Sequence, residues 1–205
     1  TKCLVIEQLK NSIVPFVLPP ESPNLFMLKE LCKGDQVDRY LLPYSRGEKK
    51  SCLALSEPGA GSDAAAIKTR AERKNGKWVL NGTKLWISGA RRADFMIVMA
   101  VTDATAEKRS KFTAFLVDKG TPGVTIPTSF PMIGEYHPYE VVFDNVELDD
   151  GQVLGEVGAG FAPLSKRLGV RRLEIASRCL GLATRCLNMM IEQANTRQTL
   201  SLIHI

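Results

Sequence analysis

The chain changes its period at Gly158-Ala159-Gly160, and that change constrains the fold more than any other feature. Beyond it, Leu164, Leu168, Ile175, Leu180, Leu187 and Ile191 recur near helical spacing, and no proline follows Pro163. A helix of that length is not stable alone and needs partner helices. Before the change, from about residue 51 to 154, the pattern is that of strands. Residues 95–101, 111–117, 124–126 and 140–146 are β-type runs, and Asn75-Gly76 and Asn81-Gly82 are hairpin-turn dipeptides on either side of Trp78, Val79 and Leu80. Such spacing predicts a small antiparallel barrel or sandwich. Residues 1–50 read as broken helix, interrupted by Pro15, Pro19 and Pro20. Ser22-Pro23 opens one helical run, and a short helix over 36–42 ends at Pro43. The fold class is therefore an α+β multidomain chain with a helical N-terminal segment over 1–50, a β-domain over 51–157 and the start of a C-terminal helical bundle over 158–199.

Composition narrows the function. With 44% apolar and 24% charged residues the chain reads as an ordinary globular protein, and no apolar run approaches the roughly 20 residues of a membrane-spanning helix. The net charge of +5 is not interleaved with aromatics as a nucleic-acid stacking surface requires, so an anionic small molecule fits better. Five scattered cysteines and two histidines give no metal pattern and suit a reduced intracellular compartment. Cys179 and Cys186 are predicted to share a buried helix face. Thr1-Lys2-Cys3 lacks both an initiator methionine and a signal-peptide pattern, so Thr1 reads as an internal position.

Residues 53–66, LALSEPGAGSDAAA, concentrate the chemistry. Leu53 and Leu55 alternate with Ala54 and Ser56 as in a half-buried strand that ends at Pro58-Gly59. Gly59 and Gly61 are free to take positive φ and turn successive N–H groups toward an anion or a polar ring edge. The plainer alternative is a strand running into a tight turn capped by Ser62 or Asp63.

Ala54-Leu55-Ser56-Glu57 and Ala60-Gly61-Ser62-Asp63, followed by Ala66, resemble the signature of the acyl-CoA dehydrogenase family of flavoproteins. Asn81-Gly82-Thr83-Lys84-Leu85-Trp86-Ile87-Ser88 resembles that family's flavin strand, and both blocks stand in its order and spacing. The likeness runs from about Asp35 to Thr199. It includes the connector Ser45-Arg46-Gly47-Glu48-Lys49, residues 112–124, Phe143-Asp144-Asn145-Val146 and residues 158–161. It fails over 200–205, which read as a tail foreign to the family.

The resemblance implies FAD as cofactor, held by Leu53, Leu55, Ser56, Gly61, Ser62, Trp86, Ile87 and Ser88, with Arg197 and Thr199 reaching a neighbouring subunit's pyrophosphate. The partners it implies are an acyl-CoA substrate, an electron-transfer flavoprotein and copies of itself in a dimer or tetramer. Ser62, Arg171 and Arg172 are implied substrate contacts. The reaction would oxidise acyl-CoA to trans-2-enoyl-CoA, with the α-proton going to a carboxylate and the β-hydrogen to flavin N5.

That carboxylate is the gap. In most of the family it lies on later helices, and where some members carry it beside the arginine matched by Arg172, this chain has Arg171. Glu174 is a weak candidate base, and a helical pair with Arg178 is its plainer role. Gly134-Glu135-Tyr136-His137-Pro138-Tyr139 and Glu147-Leu148 also depart from the family pattern, which implies an altered pocket edge, with His137 as a loop or edge residue. Trp86 has the alternative of an ordinary barrel-core residue, and Glu57 and Asp63 read as turn-bonding acids. A fragment of an acyl-CoA dehydrogenase is the reading carried forward, in a bacterial cytoplasm first, with mitochondrion and peroxisome open. An acyl-CoA oxidase, a flavin monooxygenase or a non-catalytic β-barrel binding module are its alternatives.

Overall fold

The computed structural model describes residues 2–10, 23–107, 109–132 and 137–198. Residues Ser22–Arg167 form one compact unit, and the terminal segments Thr1–Glu21 and Leu168–Ile205 form another.

In the terminal unit the described part comprises helix α1 (Lys2–Lys10) and most of a long helix that begins in the larger unit. The larger unit opens with α2 (Asn24–Leu31), a π-helical turn (Val37–Leu41) and α3 (Leu42–Ser45). The helix does not end at Pro43 as its sequence suggested. Leu42 N–H reaches back five residues to the Val37 carbonyl, and proline is tolerated because it lies in the first turn of α3. The Arg39 carbonyl, which would face the missing proline donor, accepts from Lys49 Nζ at 2.9 Å. Tyr40 joins this segment to the sheet, with its hydroxyl donating to Asp118 Oδ2 at 2.9 Å and its ring edge-on to Phe95.

Among the described residues eight strands make one sheet: β1 (Ser51–Ala54), β2 (Arg70–Lys74), β3 (Lys77–Ser88), β4 (Phe95–Val101), β5 (Phe112–Asp118), β6 (Val124–Thr125), β7 (Pro138–Leu148) and β8 (Val153–Leu154). Their order is β6-β7-β3-β2-β4-β5-β8, with β1 also on β4. The sheet is open rather than closed into a barrel, and it is not wholly antiparallel: β1 runs parallel to β4, as does the single pair Arg70↔Val101 between β2 and β4. β4 is apolar throughout and buried at every residue, as a strand covered on both faces should be.

Asn75-Gly76 forms the predicted hairpin, both residues having positive φ, as the favoured two-residue turn requires. Asn81-Gly82 does not turn. β3 runs straight through it with a bulge between Leu80 and Gly82 in its pairing with β7. Here the Asn81 side chain accepts from Asn145 N–H at 2.8 Å, standing in for a ladder bond. Gly82 is needed for a different reason, because a Cβ there would lie 2.5 Å from Thr69 Oγ1 and 2.8 Å from Thr69 Cα.

After β8, Gly158 N–H donates to Thr113 Oγ1 and Gly160 N–H to the Phe112 carbonyl, so the glycine pair is bonded to β5 just before the final helix. That helix, α4 (Phe161–Thr196), is 36 residues long. Leu164 is buried, while Ile175, Leu180, Leu187 and Ile191 are exposed, so much of the apolar face read from the sequence has no cover among the described residues. Cys179 and Cys186 are exposed as well, contrary to the predicted buried pair, since burial of that face depends on partner helices.

Candidate functional site

The site begins at the edge of β4. β1 pairs with that edge as far as Ala54↔Val98, and the chain returns to it where the Thr69 carbonyl accepts from Val101 N–H at 2.8 Å. Residues 55–69, which carry most of the signature, therefore form an excursion between two segments lying on the same strand edge. β1 has the opposite phase to the one its leucines suggested. Cys52 and Ala54 face the core, and Leu53 and Leu55 are half-buried on the other side. Burial raises the Cys52 thiol to about 12, so it is packing and no nucleophile.

Within the excursion, Glu57 and Ala60 exchange both backbone hydrogen bonds around Pro58-Gly59, at 3.0 and 3.1 Å. Neither Gly59 nor Gly61 takes the positive φ foreseen for them, and the turn at Pro58-Gly59 closes through its backbone bonds without it. Asp63 Oδ1 accepts from Ala65 N–H at 3.0 Å and starts the short turn Ala64–Ala66, a capping role as expected. Ser62 and Gly61 are exposed on the same turn.

Glu57 closes the excursion. Its carboxylate accepts from Lys68 N–H at 2.6 Å, Thr69 N–H at 3.0 Å and Lys84 Nζ at 2.8 Å. Lys84 Nζ also donates to the Leu55 carbonyl at 3.1 Å, and its side chain is wholly buried. Burial pushes the Glu57 carboxyl up, but the ammonium and the N–H donors outweigh it and hold the group below its ordinary value. For Lys84 burial wins over the attraction of Glu57 and lowers the amine to about 8.

Lys84 was not singled out from the sequence. The signal that finds it is the phase of β3: Trp78, Leu80 and Lys84 all fall on the inward side of a period-two strand. In that register Trp86 would be inward too. A second bulge, between Lys84 and Ile87, reverses the phase, so that Ile87 is buried and Trp86 is 54% exposed. Trp86 is not a core residue. Its φ is +63°, a left-handed conformation that a bulky aromatic rarely adopts, and its ring lies 4.6 Å from Phe130, centroid to centroid. Leu85 N–H, released from the β7 ladder, donates to the Ser56 carbonyl at 2.7 Å. The two motif blocks are thus bonded to each other at Ser56–Leu85 and Glu57–Lys84, immediately before the exposed indole. Ser88 is exposed two residues on, paired with Pro138 of β7, and Arg91 stacks over the adjacent Tyr139 at 5.1 Å. Among the described residues the hydroxyls of Ser56, Ser62 and Ser88 carry no hydrogen bond, leaving them available to a ligand.

Residues 52–146 match the model of the acyl-CoA dehydrogenase middle domain. A curated relative, the (R)-benzylsuccinyl-CoA dehydrogenase of Thauera aromatica, is 46% identical over 204 residues, which is 97% of this chain and 50% of that protein. The chain belongs to the acyl-CoA dehydrogenase family. The structure of butyryl-CoA dehydrogenase from Megasphaera elsdenii matches with a TM-score of 0.82 at 26% identity, over 98% of this chain and 54% of that one. An FAD complex of PigA matches with a TM-score of 0.79 at 28% identity, over 86% and 46%. The chain spans about half the length of the relatives it matches. Both motif blocks and the two bulges between β3 and β7 lie inside the residues matched to that acyl-CoA dehydrogenase middle domain.

The remaining predicted residues belong to other segments of the chain. Arg171, Arg172 and Glu174 are on α4, in the terminal unit. Glu174 is 2% exposed and accepts from Arg171 Nη1 at 3.1 Å, on the shared face that the spacing implied. Arg197 is exposed just past the end of α4, while Thr199 and Gly134-Glu135-Tyr136 lie outside the described residues. His137 is exposed immediately before β7. No described helix is long and apolar enough to cross a membrane, and no described cluster suits a metal ion.

Proposed function

We propose that the chain is the flavin-carrying part of an FAD-dependent acyl-CoA dehydrogenase that oxidises an acyl-CoA to its trans-2-enoyl-CoA and passes the electrons to an electron-transfer flavoprotein. The observation that carries this is Trp86, an exposed indole held in a left-handed backbone conformation directly beside the contact between the two motif blocks. Strain of this kind at an exposed aromatic marks a functional position rather than a packing one. The donor set suits FAD: an aromatic face at Trp86, and uncommitted hydroxyls at Ser56, Ser62 and Ser88 for a polar ring edge. When bound, FAD supplies the hydride acceptor. Ser88 would donate at the edge that receives hydride, Ser56 and the Leu55 backbone at the pyrimidine edge, and Leu53, Gly61 and Ile87 would complete the wall. Ser62, Arg171 and Arg172 would contact the acyl-CoA, and Arg197 and Thr199 the cofactor of a neighbouring copy in an oligomer.

Glu174 is a poor base. Its carboxylate is buried and engaged by the Arg171 guanidinium at 3.1 Å, so it is committed within its own helix. We assign proton abstraction to residues outside this chain. We also place the protein in a bacterial cytoplasm, as its 46% relative comes from Thauera aromatica.

The test uses the full-length protein. It should purify yellow, and its absorbance should bleach under anaerobic acyl-CoA and return only slowly in air. The name of that relative makes an aryl-substituted succinyl thioester the first substrate to compare with butyryl-CoA. Fast reoxidation with peroxide would replace the dehydrogenase by an oxidase. A colourless protein that rejects added FAD would leave a binding module.

A further inference from the structure

We propose that Glu57 and Lys84 are positioning residues, whose buried ion pair clamps Trp86 in its left-handed backbone conformation and so sets where the indole stands on the exposed face. The clamp follows from what flanks the bulge. On one side Lys84 is wholly buried and bound to both Glu57 and the Leu55 carbonyl. On the other, Ile87 is 2% exposed and paired with Tyr139 of β7. Between them Leu85 and Trp86 have no register partner on β7, and Leu85 N–H donates to the Ser56 carbonyl. With both ends fixed, the segment cannot regain a regular strand by rotation, and Trp86 keeps its positive φ.

The chemistry of position 84 points the same way. Its phase is that of Trp78 and Leu80, where an apolar residue would pack without any desolvation cost. A lysine there is justified by reach and valence, since one ammonium satisfies an acceptor at residue 55 and another at residue 57. Glu57 carries the tie onward to Lys68 and Thr69, where the excursion rejoins β4. The pair therefore joins the start of the excursion, its end and the strand that bears the indole. That the indole faces flavin rests on the reading above, whereas the clamp does not depend on it.

The experiment uses full-length protein labelled with 5-fluorotryptophan, with W86F to assign the Trp86 fluorine resonance. K84M and E57Q should each shift or broaden that resonance, leave that of Trp78 in place, and weaken FAD binding by about tenfold or more. Single changes strand a buried charge and can prevent folding, so E57L/K84M, which removes both charges together and leaves only backbone groups at Leu55, Lys68 and Thr69 to find other partners, is the second variant. It should fold with parental circular dichroism and show the same displaced Trp86 signal. A parental Trp86 resonance in a folded E57L/K84M protein overturns the clamp. A displaced resonance with unchanged FAD affinity supports the clamp and overturns the placement of flavin at Trp86.

Discussion

Replacing Gly82 by alanine should be among the most damaging single-methyl changes in the β-domain. The added Cβ would stand 2.5 Å from Thr69 Oγ1 and 2.8 Å from both Thr69 Cα and Cβ. Two of these atoms belong to a side chain that can turn or be removed, but the Cα is backbone. Gly82 also has φ +150°, a conformation that residues with a Cβ rarely adopt. Strain of that kind costs about 1–3 kcal/mol and overpacking another 1–3, so G82A should lose about 2–6 kcal/mol. A domain has only about 5–15 kcal/mol to lose. Thr69 N–H donates to Glu57, so displacing Thr69 should also loosen the excursion and weaken flavin binding. Urea unfolding of the full-length protein, followed by far-UV circular dichroism with flavin fluorescence alongside, measures both. Adding T69G should recover only part of the loss, since the clash with the backbone of residue 69 and the positive φ remain. A loss below about 0.5 kcal/mol, the level of an ordinary surface change, would refute the reasoning. Full recovery by T69G would refute the backbone part of it.

Two further predictions separate local from distant effects. Lys84 in the folded protein gives up its proton near pH 8, against 10.5 for the free side chain, so between these values the unfolded chain binds more protons and stability rises with pH. The parent should therefore gain unfolding free energy relative to K84M as pH is raised across that window, even as the ion pair to Glu57 is lost, and a flat difference would remove Lys84 from its buried place. N75A, at the tip of the β2–β3 hairpin where Asn75 has φ 51°, should cost about 1 kcal/mol and lower Tm by about 2–4 °C, with FAD affinity unchanged.

What could be read from the sequence was whatever depends on one element at a time. The runs at 95–101 and 111–117, the Asn75-Gly76 turn and the helix after Gly160 follow from period and local conformation, and each stands where it was expected. What was missed depends on a second element. Asn81-Gly82 has the composition of a turn, yet Thr69 and Asn145 make it part of a bulged pairing. Gly59 and Gly61 could supply positive φ, but the Glu57–Ala60 bonds close the turn without it. The phase of β1, with Cys52 and Ala54 inward, depends on which of its faces the rest of the sheet covers, which no property of Leu53 or Leu55 records. Cys179 and Cys186 have the spacing of a buried face, and burial needs helices that the spacing does not supply. Lys84 was readable in principle, had the inward phase of β3 been followed past the first bulge.

The two bulges in the β3–β7 pairing explain why the signature block and residues 81–88 of β3 belong together. At the first, Gly82 has no Cβ to hold Thr69 away, and the end of the excursion lies against the strand. The second, after Lys84, releases Leu85 to bond Ser56, near the excursion's start. Both departures from regular pairing are thus directed at the same segment, residues 55–69, and neither would serve a plain sheet. The first places its extra residue on β7. The second places it on β3 and reverses that strand's phase, which is what brings Trp86 to the surface. A sheet that uses one of its longest strands in this way is organised around what stands at that surface. The charge that ties strand and excursion is buried, whereas the indole, Ser62 and Ser88 are exposed. Groups that must not move are therefore kept from water, and those that would meet a ligand are not.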